Sequence, residues 1–117
     1  MTGSVSYYAG LSAENQVAAD YTRRGHGTRC HRWRGKSGEI DLIAEDGDGL
    51  IFVEVKASRD FARAAESLSR RQMQRIYSSA SEYLSQMPKG QMTPVRFDVA
   101  LVDGSGAIRI IENAFGH

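Results

Sequence analysis

Residues 38–56, GEIDLIAEDGDGLIFVEVK, contain two short apolar runs separated by a turn-forming segment. The alternation over 39–44 and 50–56 predicts two strands, and the Gly and Asp residues of 45–49 predict the turn that joins them as a hairpin. One face of the hairpin is apolar throughout and is predicted to be core: Ile40, Leu42, Ala44, Ile51, Val53 and Val55. The other face concentrates four charged residues at one end: Glu39, Asp41, Glu54 and Lys56.

The register of this hairpin follows from parity. The two apolar sets share a face only if the numbers of paired residues add up to an odd value, and a turn centred between Gly47 and Asp48 gives 95. Asp41 then lies opposite Glu54, with Cβ atoms about 4.5–5.5 Å apart. A slip by one residue would move charged groups into the core, so the parity is strongly specified.

Two carboxylates that face each other across a ladder repel, which predicts a compensating cation. Mg²⁺ takes oxygen ligands, commonly one or two carboxylates with waters and phosphate oxygens, so Asp41 and Glu54 are candidate ligands. Lys56 lies on the same face and could orient a water or stabilise developing charge in phosphodiester hydrolysis. The alternative is an ordinary solvated strand face, in which Asp41 and Glu54 pair with Lys56.

The rest of the chain predicts two helices and three more strands. The first helix begins at Ser12 as its N-cap, after a loose arm of residues 1–10, and the single domain is expected over 11–117. The remaining predicted elements are strands over 28–34, 95–102 and 107–111 and a long helix over 62–87. The order α-β-β-β-α-β-β predicts an α/β (α+β) fold with a mixed central sheet flanked by helices.

Glu14 lies on the apolar stripe of the first helix, which Val17, Ala18 and Tyr21 form at helical spacing. A glutamate buried there would need a partner or a metal ion. The alternative is a residue at the edge of the stripe with its carboxylate in water.

The hairpin residues also resemble a known family. Gly38–Ala44 followed by Phe52–Lys56 closely resembles the YraN-type family of small bacterial proteins, which are predicted to be Holliday-junction-resolvase-like endonucleases of the PD-(D/E)XK superfamily. The resemblance continues in Arg96–Val99 and Ile111–Phe115, and it covers nearly the whole chain. It implies a restriction-endonuclease-like core.

The resemblance also implies roles for four residues. Asp41 matches the metal-binding aspartate of the superfamily, Glu54 and Lys56 match its (D/E)XK element, and Glu14 matches the glutamate of the first helix. These four would form the catalytic site, with Mg²⁺ or Mn²⁺ held by Glu14, Asp41 and Glu54. The chain departs from its relatives at Ala13, where glycine is common. It departs again over residues 70–72, where Arg70, Arg71 and Gln72 replace a frequent lysine, so no role is assigned to Gln72.

Basic residues crowd into one segment although 15 Lys+Arg nearly balance 14 Asp+Glu in the whole chain. Residues 23–36 hold six of them without an acid, and Trp33 lies among them. The predicted nucleic-acid-binding residues are Arg29, Arg32, Arg34 and Lys36, with Arg71 from the long helix. The alternative is ordinary charge on an edge strand and on a solvated helix face, with Trp33 in the core.

Composition excludes several classes of protein. The single cysteine, Cys30, excludes a disulfide framework and a multi-cysteine zinc module, and no apolar run is long enough for a membrane span. The first ten residues lack a signal-peptide pattern, so a cytoplasmic location is expected. No small-molecule cofactor is expected either.

Together these features predict a metal-dependent endonuclease-like protein that acts on DNA, with branched DNA suggested by the resemblance. The alternative is a non-catalytic nucleic-acid-binding protein that retains the nuclease fold. A resolvase acts on two strands, so a symmetric homodimer would suit it.

Overall fold

A computed structural model describes the backbone of residues 2–114 and the side chains of residues 12–114. The elements in chain order are α1 (Thr2–Arg23), β1 (Thr28–Arg34), β2 (Glu39–Asp46), β3 (Gly49–Ala57), α2 (Phe61–Glu66), α3 (Arg70–Leu84), a 3₁₀ turn (Gly90–Met92), β4 (Val95–Val102) and β5 (Ile108–Ile111). The strands form one sheet in the order β1-β2-β3-β4-β5, in which β3 and β4 are parallel and the other neighbours antiparallel. The predicted mixed sheet with flanking helices is confirmed.

The central hairpin has the predicted register. Its pairs run from Asp46–Gly49 at the turn to Leu42–Val53, and the paired numbers add up to 95 throughout. Gly47 has φ of 60°, a left-handed conformation that glycine adopts without strain in two-residue hairpin turns.

Helices cover both faces of the hairpin. Leu42 and Val53 are completely buried against Val17 and Tyr21 of α1, as the alternation predicts. On the opposite face, Ile43 and Phe52 are buried against α3. The charged groups of the hairpin therefore lie at its two ends, at the turn and at the open end beyond Leu42 and Val53.

Ile40 departs from the predicted alternation. The alternation predicts it on the same face as Leu42, but it is buried in the cluster formed with α3. The β2–β3 pairing ends at Leu42–Val53, whereas β2 remains paired with β1 through Ile40 and Glu39. Because this end of β2 pairs with β1 alone, its backbone can twist, and its side chains need not keep the regular alternation. The change of face falls at Asp41, the residue between Ile40 and Leu42.

The predicted long helix over 62–87 is wrong in one respect, because it is two helices. Ser69 N-caps α3 by accepting a hydrogen bond from the Gln72 N–H at 3.1 Å, and Asp60 caps α2 by accepting from the Arg63 N–H at 2.9 Å. A serine hydroxyl accepts hydrogen bonds from the free N–H groups at the start of a helix. Ser69 can therefore begin a new helix within a sequence that is otherwise helical. This break fixes where Gln72 enters the fold.

The first helix begins at Thr2 rather than at Ser12. No proline interrupts residues 2–11, so the backbone continues the helix through the segment predicted as a loose arm. The division into an arm and a single domain stays a prediction.

A buried polar network anchors α1 to the sheet. Asp98 of β4 is fully buried and accepts hydrogen bonds from the Tyr21 hydroxyl at 2.7 Å and from Arg96 at 2.9 and 3.0 Å. It also accepts the Asn113 N–H at 3.0 Å, which holds the segment after β5. The network therefore fixes the helix that carries Glu14.

Within residues 2–114, no helix combines the length and the apolar character that crossing a bilayer requires. The expected cytoplasmic location stays a prediction.

Candidate functional site

The open end of the hairpin brings two carboxyl groups together. Asp41 lies on β2, next to the twisted end of the strand, and its Oδ2 accepts a hydrogen bond from the Val55 N–H at 2.8 Å. Glu54 lies on β3, with only 6 % of its surface exposed. The close approach expected from the register is present, although the regular β2–β3 pairing ends one residue earlier.

The surroundings of Glu54 favour its neutral form. Burial, a hydrogen bond with the Asp41 carboxyl and the negative charge of Asp41 together raise the pKa of Glu54 to about 9, against the smaller opposing effects of Lys56 and Gln72. The Glu54 carboxyl therefore holds its proton more strongly than an exposed glutamate does. A cation that binds between the two groups would have to displace this proton.

Gln72 is the site residue that the sequence did not assign. Its side-chain Nε2 donates a hydrogen bond to Glu54 Oε2 at 2.5 Å from the first turn of α3. The available signal was the Ser69 N-cap, which places Gln72 three residues into a helix and not in the middle of one. Gln72 holds the Glu54 carboxyl in place.

Glu14 approaches the pair from α1, and 13 % of its side chain is exposed. Burial and the charge of Asp41 raise its pKa to about 7, with Glu39 adding to the rise and Arg32 opposing it. Arg32 lies between two acids, with its guanidinium 3.7 Å from Glu14 and 3.6 Å from Glu39. Glu14 is thus close enough to Asp41 to interact with it, and Arg32 partly neutralises its charge.

Arg32 holds this position with an unusual backbone. Its φ is 51°, in the left-handed region that non-glycine residues seldom adopt, in a strand whose pairing with β2 shifts between Thr28 and Cys30. Such a conformation costs about 1–3 kcal/mol and persists only when the surrounding structure fixes it.

Two clefts meet at Asp41. A cleft of about 240 Å³ separates the open end of the hairpin from α3, and its lining residues are Gly38, Glu39, Asp41, Glu54, Gln72, Arg75 and Ile76. A larger cleft of about 690 Å³ lies on the α1 side, and Asp41 lines it together with Glu14 and Val55. Asp41 can therefore be reached from both sides.

The donor chemistry of the site suits a hard cation. Carboxylate oxygens are the ligands that Mg²⁺ and Mn²⁺ prefer, and one or two carboxylates with waters suffice for Mg²⁺. Among residues 12–114, no three His, Cys, Asp or Glu side chains are grouped as metal ligands. Binding of a cation by Asp41 and Glu54, and completion of the site by Glu14, stay predictions.

The basic residues of β1 are paired with acids of the same chain. Arg29 donates to the Tyr83 hydroxyl at 2.8 Å and lies 3.4 Å from Glu45. Arg34 lies 3.3 Å from Glu39, which Arg32 also contacts. Their role in binding nucleic acid stays a prediction.

The other residues predicted near nucleic acid have different surroundings. Trp33 is half-buried and packs edge-on against Tyr83, with ring centroids 5.3 Å apart, which favours the alternative that it packs against the core. Lys36 is exposed, and its backbone N–H donates to Glu82 at 2.9 Å. Arg71 is exposed on α3. Lys56 is half-buried beside Glu54, where its charge lowers the pKa of that carboxyl.

Comparison with known proteins places the chain in a family. The family model of the Uncharacterised protein family UPF0102 matches residues 13–102. A UPF0102 protein of Ruegeria pomeroyi is 61 % identical over 115 residues, covering 98 % of this chain and 94 % of the relative. One of Cereibacter sphaeroides is 60 % identical, with 98 % of each chain covered, and one of Roseobacter denitrificans is 47 % identical, covering 96 % of this chain and 87 % of the relative.

The family match confirms one part of the resemblance found in the sequence and leaves the other part untested. Membership in a family of small bacterial proteins is confirmed. Neither the description of the family nor the names of these relatives mentions a nuclease, so the nuclease superfamily stays a prediction.

Proposed function

The chain belongs to the uncharacterised protein family UPF0102, and we propose that it is a metal-dependent endonuclease-like protein that hydrolyses phosphodiester bonds in DNA. The observation that carries this proposal is the pair of adjacent carboxyl groups, Asp41 and Glu54, at the open end of a hairpin in a cleft lined by polar side chains. Burying two acids side by side is unfavourable unless a proton or a cation lies between them.

In the proposed site, Asp41 and Glu54 would hold Mg²⁺ or Mn²⁺, and Glu14 would complete the site from α1. Such a cation would polarise a phosphoryl oxygen and lower the pKa of a bound water. Lys56 would orient the attacking water or stabilise the charge that develops on the phosphate. Gln72 would keep Glu54 oriented, as its present hydrogen bond does.

A cleavage assay tests this function. Purified protein is incubated with linear, nicked and four-way-junction DNA in Mg²⁺, Mn²⁺ or EDTA, and the products are resolved on a denaturing gel. Wild type is expected to cleave at least one substrate in a divalent metal. Asp41→Asn, Glu54→Gln and Lys56→Ala are expected to lose most of this activity, since a positioned acid–base or electrostatic group contributes roughly 10²–10⁴-fold.

The matched control is Lys89→Ala, which removes a lysine that pairs with Asp48 at 2.7 Å on the exposed surface. It should cleave as wild type does. Equal cleavage by wild type and Lys56→Ala would indicate a contaminating nuclease. Salt-dependent DNA binding without cleavage in any metal would favour the alternative, a non-catalytic nucleic-acid-binding protein.

A further inference from the structure

The position of the arginines suggests where a nucleic acid would approach the site. An arginine whose charge is already neutralised by contact with a carboxylate attracts a phosphate less strongly than an unpaired arginine does. Arg29, Arg32 and Arg34 of β1 each have such a contact, at 3.3–3.7 Å from Glu14, Glu39 or Glu45. Arg23 and Arg24 likewise contact Asp20. Five of the six basic residues of segment 23–36 therefore neutralise acids of their own surface, and Lys36 is the one that forms no ion pair with the described residues.

The arginines of α3 are different. Arg70, Arg71 and Arg75 contact no carboxylate within the described part of the chain. Arg75 also has a distinctive position, because it lines the 240 Å³ cleft together with Asp41, Glu54 and Gln72. Its side chain passes over Gly38, where an added Cβ would lie 4.0 Å from Arg75 Cδ. Arg75 is thus an available guanidinium at the edge of the carboxylate site.

The other charges of this cleft leave room for an anion. Glu39, the remaining acid in the lining, is contacted by both Arg32 and Arg34. Arg71 lies one helical turn before Arg75 on α3, is exposed, and is not part of the lining of the cleft. A guanidinium can bind a phosphate through two parallel hydrogen bonds, and its full charge acts on the phosphate where no carboxylate shares it.

We propose that Arg75 binds a backbone phosphate of the DNA beside the Asp41–Glu54 pair, and that the strand then follows α3 past Arg71. The inference rests on the proposed function and deepens it by giving the substrate a path along α3 and not along β1. Arg75 is then a substrate-binding residue that the motifs of the sequence do not mark.

Fluorescence anisotropy with a labelled four-way junction tests the proposal. Binding is measured in Ca²⁺ and in EDTA, over a series of salt concentrations, for wild type, Arg75→Gln and Arg75→Lys. Arg75→Gln should weaken binding roughly tenfold, and the slope of log K against log salt should decrease by about 1, as expected for one lost phosphate contact. Arg75→Lys should keep the slope because it keeps the charge.

Two further variants serve as controls. Arg109 lies on β5, with its guanidinium 4.8 Å from the centroid of the Phe61 ring. The variant Arg109→Gln should bind DNA as wild type does. Arg34→Gln tests the path along β1 and should have a much smaller effect than Arg75→Gln. Thermal unfolding of each variant verifies that it is folded.

The outcomes separate this proposal from the proposed function. If wild type binds and Arg75→Gln binds equally well with the same salt slope, Arg75 contacts no phosphate and the proposal is overturned. A loss confined to Arg34→Gln would overturn it as well, in favour of β1. If wild type binds no DNA in either buffer, the proposed function itself fails and this inference fails with it.

Discussion

At the scale of single residues, Glu54 determines much of the behaviour of the site. Its carboxyl is almost fully buried beside Asp41, and these surroundings raise its pKa from 4.5 to about 9. In the folded chain the group is therefore neutral at pH values where the unfolded chain ionises it. Folding binds a proton at this position, and stability must depend on pH.

The sign of this dependence gives a testable prediction. The stabilisation from neutral Glu54 is complete below about pH 4.5 and is lost as the pH rises towards 9. Glu54→Gln stays neutral and can still accept a hydrogen bond from Gln72. In urea unfolding between pH 5 and 8 with EDTA present, its free energy of unfolding should fall less steeply than that of wild type.

The control for this measurement is Glu66→Gln, an exposed carboxylate at the end of α2. It should show the same pH dependence as wild type. Parallel curves for wild type and Glu54→Gln would mean that Glu54 is ionised in the folded chain.

Metal binding gives a second prediction for the same pair. Since Glu54 must lose its proton before its oxygens can bind a cation, Mn²⁺ binding should release protons and become tighter as the pH rises from 6 to 8. Calorimetry in two buffers of different ionisation enthalpy measures the number of protons released. Asp41→Asn should abolish the binding, and binding that this variant leaves unchanged would place the metal elsewhere.

At the scale of elements, the hairpin was predictable and the α3 junction was not. Parity and the position of the turn together predict the register of β2 and β3, because a slip by one residue would turn the charged face of the hairpin towards the core. The twist that moves Ile40 to the other face depends on where β3 stops pairing with β2, which is a tertiary property. The start of α3 depends on one serine in a sequence that is otherwise compatible with continuous helix.

The N-cap of α3 gives a third prediction. Ser69→Ala removes the acceptor for the Gln72 N–H and should cost about 1 kcal/mol in the free energy of unfolding. Because Gln72 holds Glu54 from this first turn, the variant should also weaken activity or metal binding more than its stability loss explains. Asp60→Ala removes the equivalent cap from α2 and is the matched control, since α2 carries no residue of the site. Equal functional effects of the two variants would contradict the link.

At the scale of the whole molecule, the site depends on elements that are distant in sequence. Glu14 comes from α1, the acid pair from the hairpin, and Gln72 and Arg75 from α3, with the sheet between the two helices. The sequence indicated Glu14 only as an acid on an apolar stripe and through the family resemblance. It could not indicate that Arg32 would lie between Glu14 and Glu39, because the contact with Glu14 depends on how β1 lies against α1 in the folded chain.

Variants of the buried network around Asp98 test whether α1 and the sheet unfold as one cooperative unit. Arg96→Met would leave the fully buried Asp98 charge without its two guanidinium hydrogen bonds, and such a loss costs about 3–5 kcal/mol. Tyr21→Phe removes one hydroxyl donor and should cost only about 1–2 kcal/mol. In urea unfolding, both variants should still unfold in a single transition when followed by Trp33 fluorescence and by helical circular dichroism. Separation of the two signals in Tyr21→Phe would show instead that α1 unfolds apart from the sheet, so that Glu14 could leave the site without unfolding the acid pair.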